Sequence, residues 1–122
     1  MKEDIHKKFT KRERLKSKGL IKELFEKGRS VNCFPIRLLY LSNEKIDFPQ
    51  VLITVSKKKF KHAVDRNRIR RQIREAYRIN KHFLLNSKFK IPYAIAIIYV
   101  SDKKIPFQEL ERKLILALQR LK

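Results

Sequence analysis

Ten lysines or arginines fall among the 22 residues from Lys57 to Arg78 (KKKFKHAVDRNRIRRQIREAYR), against two acids, Asp65 and Glu75. Guanidinium and ammonium groups at this density are suited to holding polyanions, because charge-assisted hydrogen bonds to phosphate are strong and arginine's planar fork grips two oxygens at once. The spacing sharpens the point. On a helix advancing about 100° per residue, with Ile69 set at zero, Ile69, Ile73, Ala76 and Tyr77 fall within about −20° to 80° and form one apolar side. Arg70, Arg74, Asn67, Arg78 and Arg71 fall between about 100° and 200° on the same wheel. Like charges at i,i+4 repel by a few tenths of a kcal/mol, so the fold gains nothing from this stripe and a partner must offset it.

Groups that could break or make covalent bonds are scarce by comparison. His6, His62 and His82 lie in three separate segments, and none has metal-ligand spacing to Cys33 or to a pair of carboxylates. Asp4, Asp47, Asp65 and Asp102 are dispersed, which argues against a two-metal site built by this chain. The glycine-rich phosphate loops need glycines that a chain with two cannot supply. If the protein takes part in a reaction, another component supplies the reacting groups.

The whole chain carries a formal net charge of +20 over 122 residues, with a sequence pI near 10.4. That excess points to nucleic acid or an anionic membrane surface. Nucleic acid fits better, since the basic residues are spread through the chain and the apolar ones are periodic, unlike a basic helix lying on lipid. A hydrophobic content of 43% suits a single domain spanning residues 1–122. The lone Cys33 cannot form an internal disulfide, and neither a signal-like nor a membrane-spanning apolar run is present, so a cytoplasmic location is expected.

Around the basic helix, expected from 61–65 to about Lys81, the pattern places the other elements. Residues 1–16 are polar and without sustained period, which predicts a mobile or partner-ordered arm. Ser17 can cap a short helix with Leu20, Ile21, Leu24 and Phe25 on its apolar side, and Gly28 stands where a left-handed C-terminal cap belongs. Val31 to Leu41 reads as a strand that begins at or bends near Pro35, Asn43 to Asp47 as a turn, and Val51 to Ser56 as a second strand. Tyr93 to Ser101 is a continuous apolar run, hence a strand covered on both faces. Pro106 opens a last helix with Phe107, Leu110, Leu114, Leu118 and Leu121 on one side. This order predicts an α+β fold, an α/β sandwich.

The residues Arg66-Asn67-Arg68, followed by Ile69, Arg71, Arg74, Glu75, Tyr77 and Arg78, resemble the RNR signature of the bacterial ribonuclease P protein. Val55, Ser56, Lys57, Lys58 and, after a spacer, Ala63 resemble that family's lead-in to the helix. Lys11, Arg12, Arg14 and Leu15, with Phe25 and Gly28, resemble its N-terminal block. The resemblance implies a small mixed sheet packed with three helices and containing a left-handed βαβ crossover. It also implies the function: binding a catalytic RNA that, with its own Mg²⁺, removes the 5′ leader of precursor tRNA. No metal would be bound by the protein alone. The helix and the preceding lysines would face the catalytic RNA, and a cleft between helix and sheet, flanked by the N-terminal helix, would hold the single-stranded leader.

These readings give candidate RNA contacts at Lys57, Lys58, Arg66, Asn67, Arg68, Arg70, Arg71, Arg74, Arg78, Arg12 and Arg14. Arg66 borders the apolar arc, so its head group either braces the fold or meets RNA. Candidate leader contacts are Phe25, Ile21, Arg37, Leu39 and Tyr40. Aromatic and aliphatic platforms beside positive charge suit a single strand, but Ile36, Leu38 and Tyr40 share one pleat face and Arg37 and Leu39 the other, and the sequence does not choose between them. Ile21 stands where the family commonly has an aromatic, and Leu52 replaces a usual glycine. The competing function is that of a ribosomal or other structural RNA-binding protein.

Overall fold

A computed structural model of the chain describes residues 9–42, 48–82 and 93–121. The expected turn at Asn43–Asp47, together with Asp4 and His6, lies outside the described residues. A 3₁₀ turn, Lys11–Glu13, leads into helix α1 (Lys18–Lys27). Strands β1 (Arg29–Cys33), β2 (Ile36–Ser42) and β3 (Gln50–Val55), helix α2 (Ala63–Asn80), strand β4 (Tyr93–Tyr99) and helix α3 (Phe107–Gln119) follow. The sheet order is β1-β2-β4-β3. β2 is antiparallel to both β1 and β4, whereas β3 and β4 run parallel with α2 between them in the chain, giving the βαβ unit. Among the described residues this is an α+β arrangement of three long helices and one mixed sheet. Among the described residues no helix is long and apolar enough to cross a membrane.

The two faces of the sheet are packed differently. On one, Ile36, Leu38 and Tyr40 of β2, Val51 and Val55 of β3, and Ile95, Ile97 and Tyr99 of β4 meet Ile69, Ile73, Ala76 and Tyr77 of α2 and Leu110, Leu114, Ala117 and Leu118 of α3. The helical arc read from the sequence is therefore the buried arc of α2. On the other face a smaller core joins Leu15, Leu24, Leu39, Ala94 and Ala96, with Leu20, Ile21, Leu41, Leu52 and Ile98 partly buried around it. Alanine at positions 94 and 96 leaves room for α1 to lie on the central strand.

Three expectations need correction. A strand does begin beside Pro35, but residues 31–33 are not part of it: they belong to β1, which forms a hairpin with β2 turning at Phe34-Pro35, whose peptide bond is cis, with Cys33 opposite Ile36. Pro35 and Asn32 are the only turn-favouring residues in the stretch from Val31 to Leu41 and no Gly is present, so the apolar run hid the reversal. Gly28 is not a left-handed cap, its φ being −66° and its ψ 148°. It is needed for closeness instead, since a Cβ there would stand 2.3 Å from the Leu24 carbonyl oxygen. Ser17 does cap α1, accepting the Leu20 N–H at 3.3 Å.

The third correction concerns the arm. Residues 1–8 are outside the described residues, but 9–16 are docked as a strap. The Leu15 N–H donates to Val51 O at 2.9 Å and the Leu15 side chain is buried. Phe9 packs edge-on against Tyr77 with ring centroids 5.8 Å apart. Lys81 Nζ reaches both Glu13 carboxylate oxygens, at 2.9 and 3.0 Å, with both side chains largely shielded from solvent. Polar composition concealed these anchors because the partners lie far away in the chain.

Candidate nucleic-acid interface

Burying one arc of α2 fixes where its other side chains point. Asn67, Arg68 and Arg71 are exposed, and Arg70, Arg74 and Arg78 half-buried. Arg70 Nη1 donates to Asn67 Oδ1 at 2.8 Å, one turn away. Arg78 pairs with Glu75, its Nε donating to Oε2 at 3.0 Å. The hydrogen bond from Arg78, followed by that cation's charge, holds the Glu75 carboxyl below its ordinary value. Hence the stripe contains one internal neutralisation, while most of its cations face outward.

Arg66 is the brace foreseen as one of its two roles. Its Nη1 donates to the carbonyls of Phe60 and Lys61, both at 2.8 Å. Lys59 Nζ donates to Val100 O at 2.5 Å, and Phe60 is buried with its ring 6.0 Å from that of Tyr99. These ties hold the segment between β3 and α2 to the body of the fold. Lys57 and Lys58 are left exposed on it, beside the start of the basic helix. Rigid cations cost less entropy to engage than mobile ones.

The strap adds charge on the same side. Arg14 lies over the Phe9 ring at 5.8 Å, and Arg12 over the Phe48 ring at 4.9 Å. Between strap, β3 and α2 is a pocket of about 200 Å³ lined by Phe9, Arg14, Leu15, Lys16, Val51, Leu52, Ile53, Arg70 and Arg74. The sequence brought Arg14, Arg70 and Arg74 to attention but did not assemble them. Phe9 and Lys16 were missed altogether, for their placement depends on the strap. Tyr77, beneath Phe9, is a packing residue, its phenol pushed far up by burial and secondarily by the Glu13 charge.

The candidate leader contacts do not share one surface. Tyr40 is buried in the larger core against α2 and α3, so it leaves the candidate set. Arg37 and Leu39 point to the α1 face, where Leu39 is buried and Arg37 exposed. Phe25, although on the apolar side of its helix in sequence, is 49% exposed and outside both cores. Ile21 is partly buried against the smaller core. Strand register adds two residues: Arg37 lies opposite Ile98, and Ile98 opposite Thr54, so the three form a row across the α1 face. No local signal marks them, since the row depends on β4 lying between β2 and β3.

Among the described residues, no three His, Cys, Asp or Glu side chains gather as a metal site. Glu13, Asp65 and Glu75 are instead paired with Lys81, Lys104 and Arg78.

Comparison with known proteins gives this geometry a family. Residues 9–122 match Ribonuclease P. The chain is 36% identical over 117 residues to the ribonuclease P protein component of Porphyromonas gingivalis strain W83, covering 93% of this chain and 85% of that protein. It is 38% identical over 116 residues to that of Chlorobium phaeobacteroides, covering 84% and 80%. The RNase P protein of Staphylococcus aureus superposes with a TM-score of 0.73 at 27% identity, over 88% of this chain and 93% of that one. The Thermotoga maritima protein has the same fold, with a TM-score of 0.73 at 24% identity, over 90% and 98%. An RNR helix on a basic α/β sandwich, matched over nearly its whole length by such relatives, belongs to the ribonuclease P protein family.

Proposed function

We propose that the chain is the protein subunit of ribonuclease P and serves tRNA 5′ maturation by holding two RNAs, with the phosphodiester hydrolysis carried by the catalytic RNA and its Mg²⁺. The observation that carries this reading is α2: one arc closes the core, and the opposite arc, with Lys57 and Lys58 before it, presents cations without acids enough to neutralise them. On this reading Asn67, Arg68, Arg70, Arg71, Arg74 and Arg78 face the folded catalytic RNA, together with Arg12 and Arg14 of the strap. Arg66 keeps their platform rigid. Exposed Phe25 and the row Arg37, Ile98 and Thr54 belong to the α1 face, which suits the single-stranded leader of precursor tRNA: an aromatic, an aliphatic floor and one cation. The acids of the strap and of α2 (Glu13, Asp65 and Glu75) are engaged by cations, so Mg²⁺ is assigned to the RNA. Work of this kind belongs in the cytoplasm.

The test is to add the purified protein to a bacterial ribonuclease P RNA at low Mg²⁺ and measure cleavage of precursor tRNA. Strong stimulation is expected. No stimulation despite tight RNA binding would favour the structural RNA-binding alternative, and cleavage by the RNA-free protein would overturn the division of labour. Cell fractionation tests the location.

A further inference from the structure

The pocket beside the strap is set apart from the leader surface, for neither Phe25, Arg37 nor Ile98 lines it. At about 200 Å³ it is smaller than the roughly 300–1,000 Å³ of sites for drug-sized ligands, and suits one planar ring system. Phe9, Leu15, Val51, Leu52 and Ile53 make its apolar lining. Every polar side chain around it is a cation: Arg14, Lys16, Arg70 and Arg74. Such a rim donates hydrogen bonds and accepts none. Arg74 has capacity to spare, since its Nε is buried and has no hydrogen-bond partner among the described residues. One arm of Arg70 is already engaged by Asn67.

From the donor-only rim and the apolar floor we infer that this pocket receives one unpaired guanine of an RNA strand, with adjoining phosphates on the cationic rim. Guanine presents two neighbouring acceptors, O6 and N7, which match an arginine fork. Adenine would set its N6 amino group against cations with no acceptor side chain to receive it, cytosine would set its N4 amino group there beside its O2 and N3 acceptors, and uracil has no two adjacent acceptors. The inference rests on the RNA-binding reading of α2 and adds base identity to it. The guanine comes either from the catalytic RNA or from the precursor leader, and its chemistry is the same in both.

The experiment follows the side-chain methyl signals of the full chain by NMR during titration with the trinucleotides UGU, UAU and UGU containing 7-deazaguanine. UGU should shift Leu15, Val51, Leu52 and Ile53 and bind about tenfold more tightly than either control, the usual scale of one bidentate base contact. Equal affinities, or shifts confined to other residues, would overturn the inference. Arg74→Lys, which keeps the charge but removes the fork, then locates the source. A loss appearing in assembly with the catalytic RNA assigns the guanine to that RNA, and a loss appearing only in precursor over mature tRNA binding assigns it to the leader. Loss in neither would also refute the pocket's role. Wild-type protein that fails to bind the catalytic RNA would sink the functional reading, whereas wild-type protein that binds it without guanine preference in the trinucleotides would sink only this one.

Discussion

Leu38 and Leu39 are neighbours in β2, yet they belong to different halves of the molecule. Leu38 is sealed between the sheet and the two longer helices, while Leu39 lies under α1 on a face that includes exposed Arg37 and partly exposed Ile98 and Leu52. The closed face carries the larger share of the buried apolar surface. The α1 face has a smaller core and keeps some of its sheet in contact with solvent. One residue of pleat thereby separates a sealed face from one partly open to solvent, and on the proposed reading it separates stability from recognition. The basic stripe of α2 is a third surface, and the fold does not depend on it because the opposite arc of the same helix already secures the helix.

The largest expected effect comes from attacking that stripe. Reversing charge at Arg70, Arg71 and Arg74 should nearly abolish assembly with the catalytic RNA at moderate salt, and lower the log–log salt slope by about 2–3 if each residue meets one phosphate. Melting should change little, since all three lie off the buried arc. Binding measured across a salt series checks this, and an unchanged slope would remove the stripe from the interface.

The two leucines come next. Leu38→Ala should cost about 4–5 kcal/mol, near the top of the range for buried leucine, because both sides of the site are packed. Leu39→Ala should cost nearer 2–3 kcal/mol, as the thinner layer around it can collapse or admit water. Chemical denaturation of both variants measures the difference; equal losses would mean that the α1 face is as rigid as the other.

Phe25→Ala should weaken precursor tRNA binding by about 1–3 kcal/mol, the usual worth of stacking one base on an aromatic, and leave mature tRNA binding nearly unchanged. Its half exposure predicts only a small shift in melting. A variant that melts early and loses both RNAs alike would return Phe25 to the core.

The smallest effect concerns Asp65, near the start of α2. The hydrogen bond from Lys104, 2.9 Å away, is the main cause holding its carboxyl below the ordinary 3.8, opposed by desolvation and aided by nearby positive charge. A lowered folded value means that this contribution is present above the unfolded value and disappears as pH falls through the folded one. Asp65→Asn should therefore lower melting slightly at pH 7, and the difference from the wild type should shrink as pH falls below about 4, where the wild-type carboxylate is protonated too. A large change at neutral pH would show that the pair does more than the surface ion pair it resembles.

Periodicity exposed α2 from the sequence alone, because a single arc of Ile69, Ile73, Ala76 and Tyr77 needs only local geometry to be recognised. The same logic located α3 and the covered strand β4. It failed where a decision depended on distant partners. Nothing near Glu13 announces Lys81, 68 residues on, and nothing near Leu15 announces the edge of β3. The face of β2 was undecidable for a similar reason: alternation defines two sets of residues, but only the helices packed on each side say which set is covered. Tyr40 entered the candidate site on that ambiguity. Arg66 was the opposite case, its angle beside the apolar arc anticipating the brace to Phe60 and Lys61.

The strand order carries a consequence for the birth of the protein. β4 is last in sequence but lies between β2 and β3, so on a ribosome the first three strands emerge without the element that joins them. Until residues 93–99 arrive, β2 and β3 each present an unpaired edge, the kind of surface that invites association with other chains. The basic helix is synthesised in that interval, before the strand and the last helix that complete its burial. A nascent chain stalled before Tyr93 should therefore remain sensitive to protease along its whole length, and protection should appear in one step once β4 and α3 have cleared the exit tunnel.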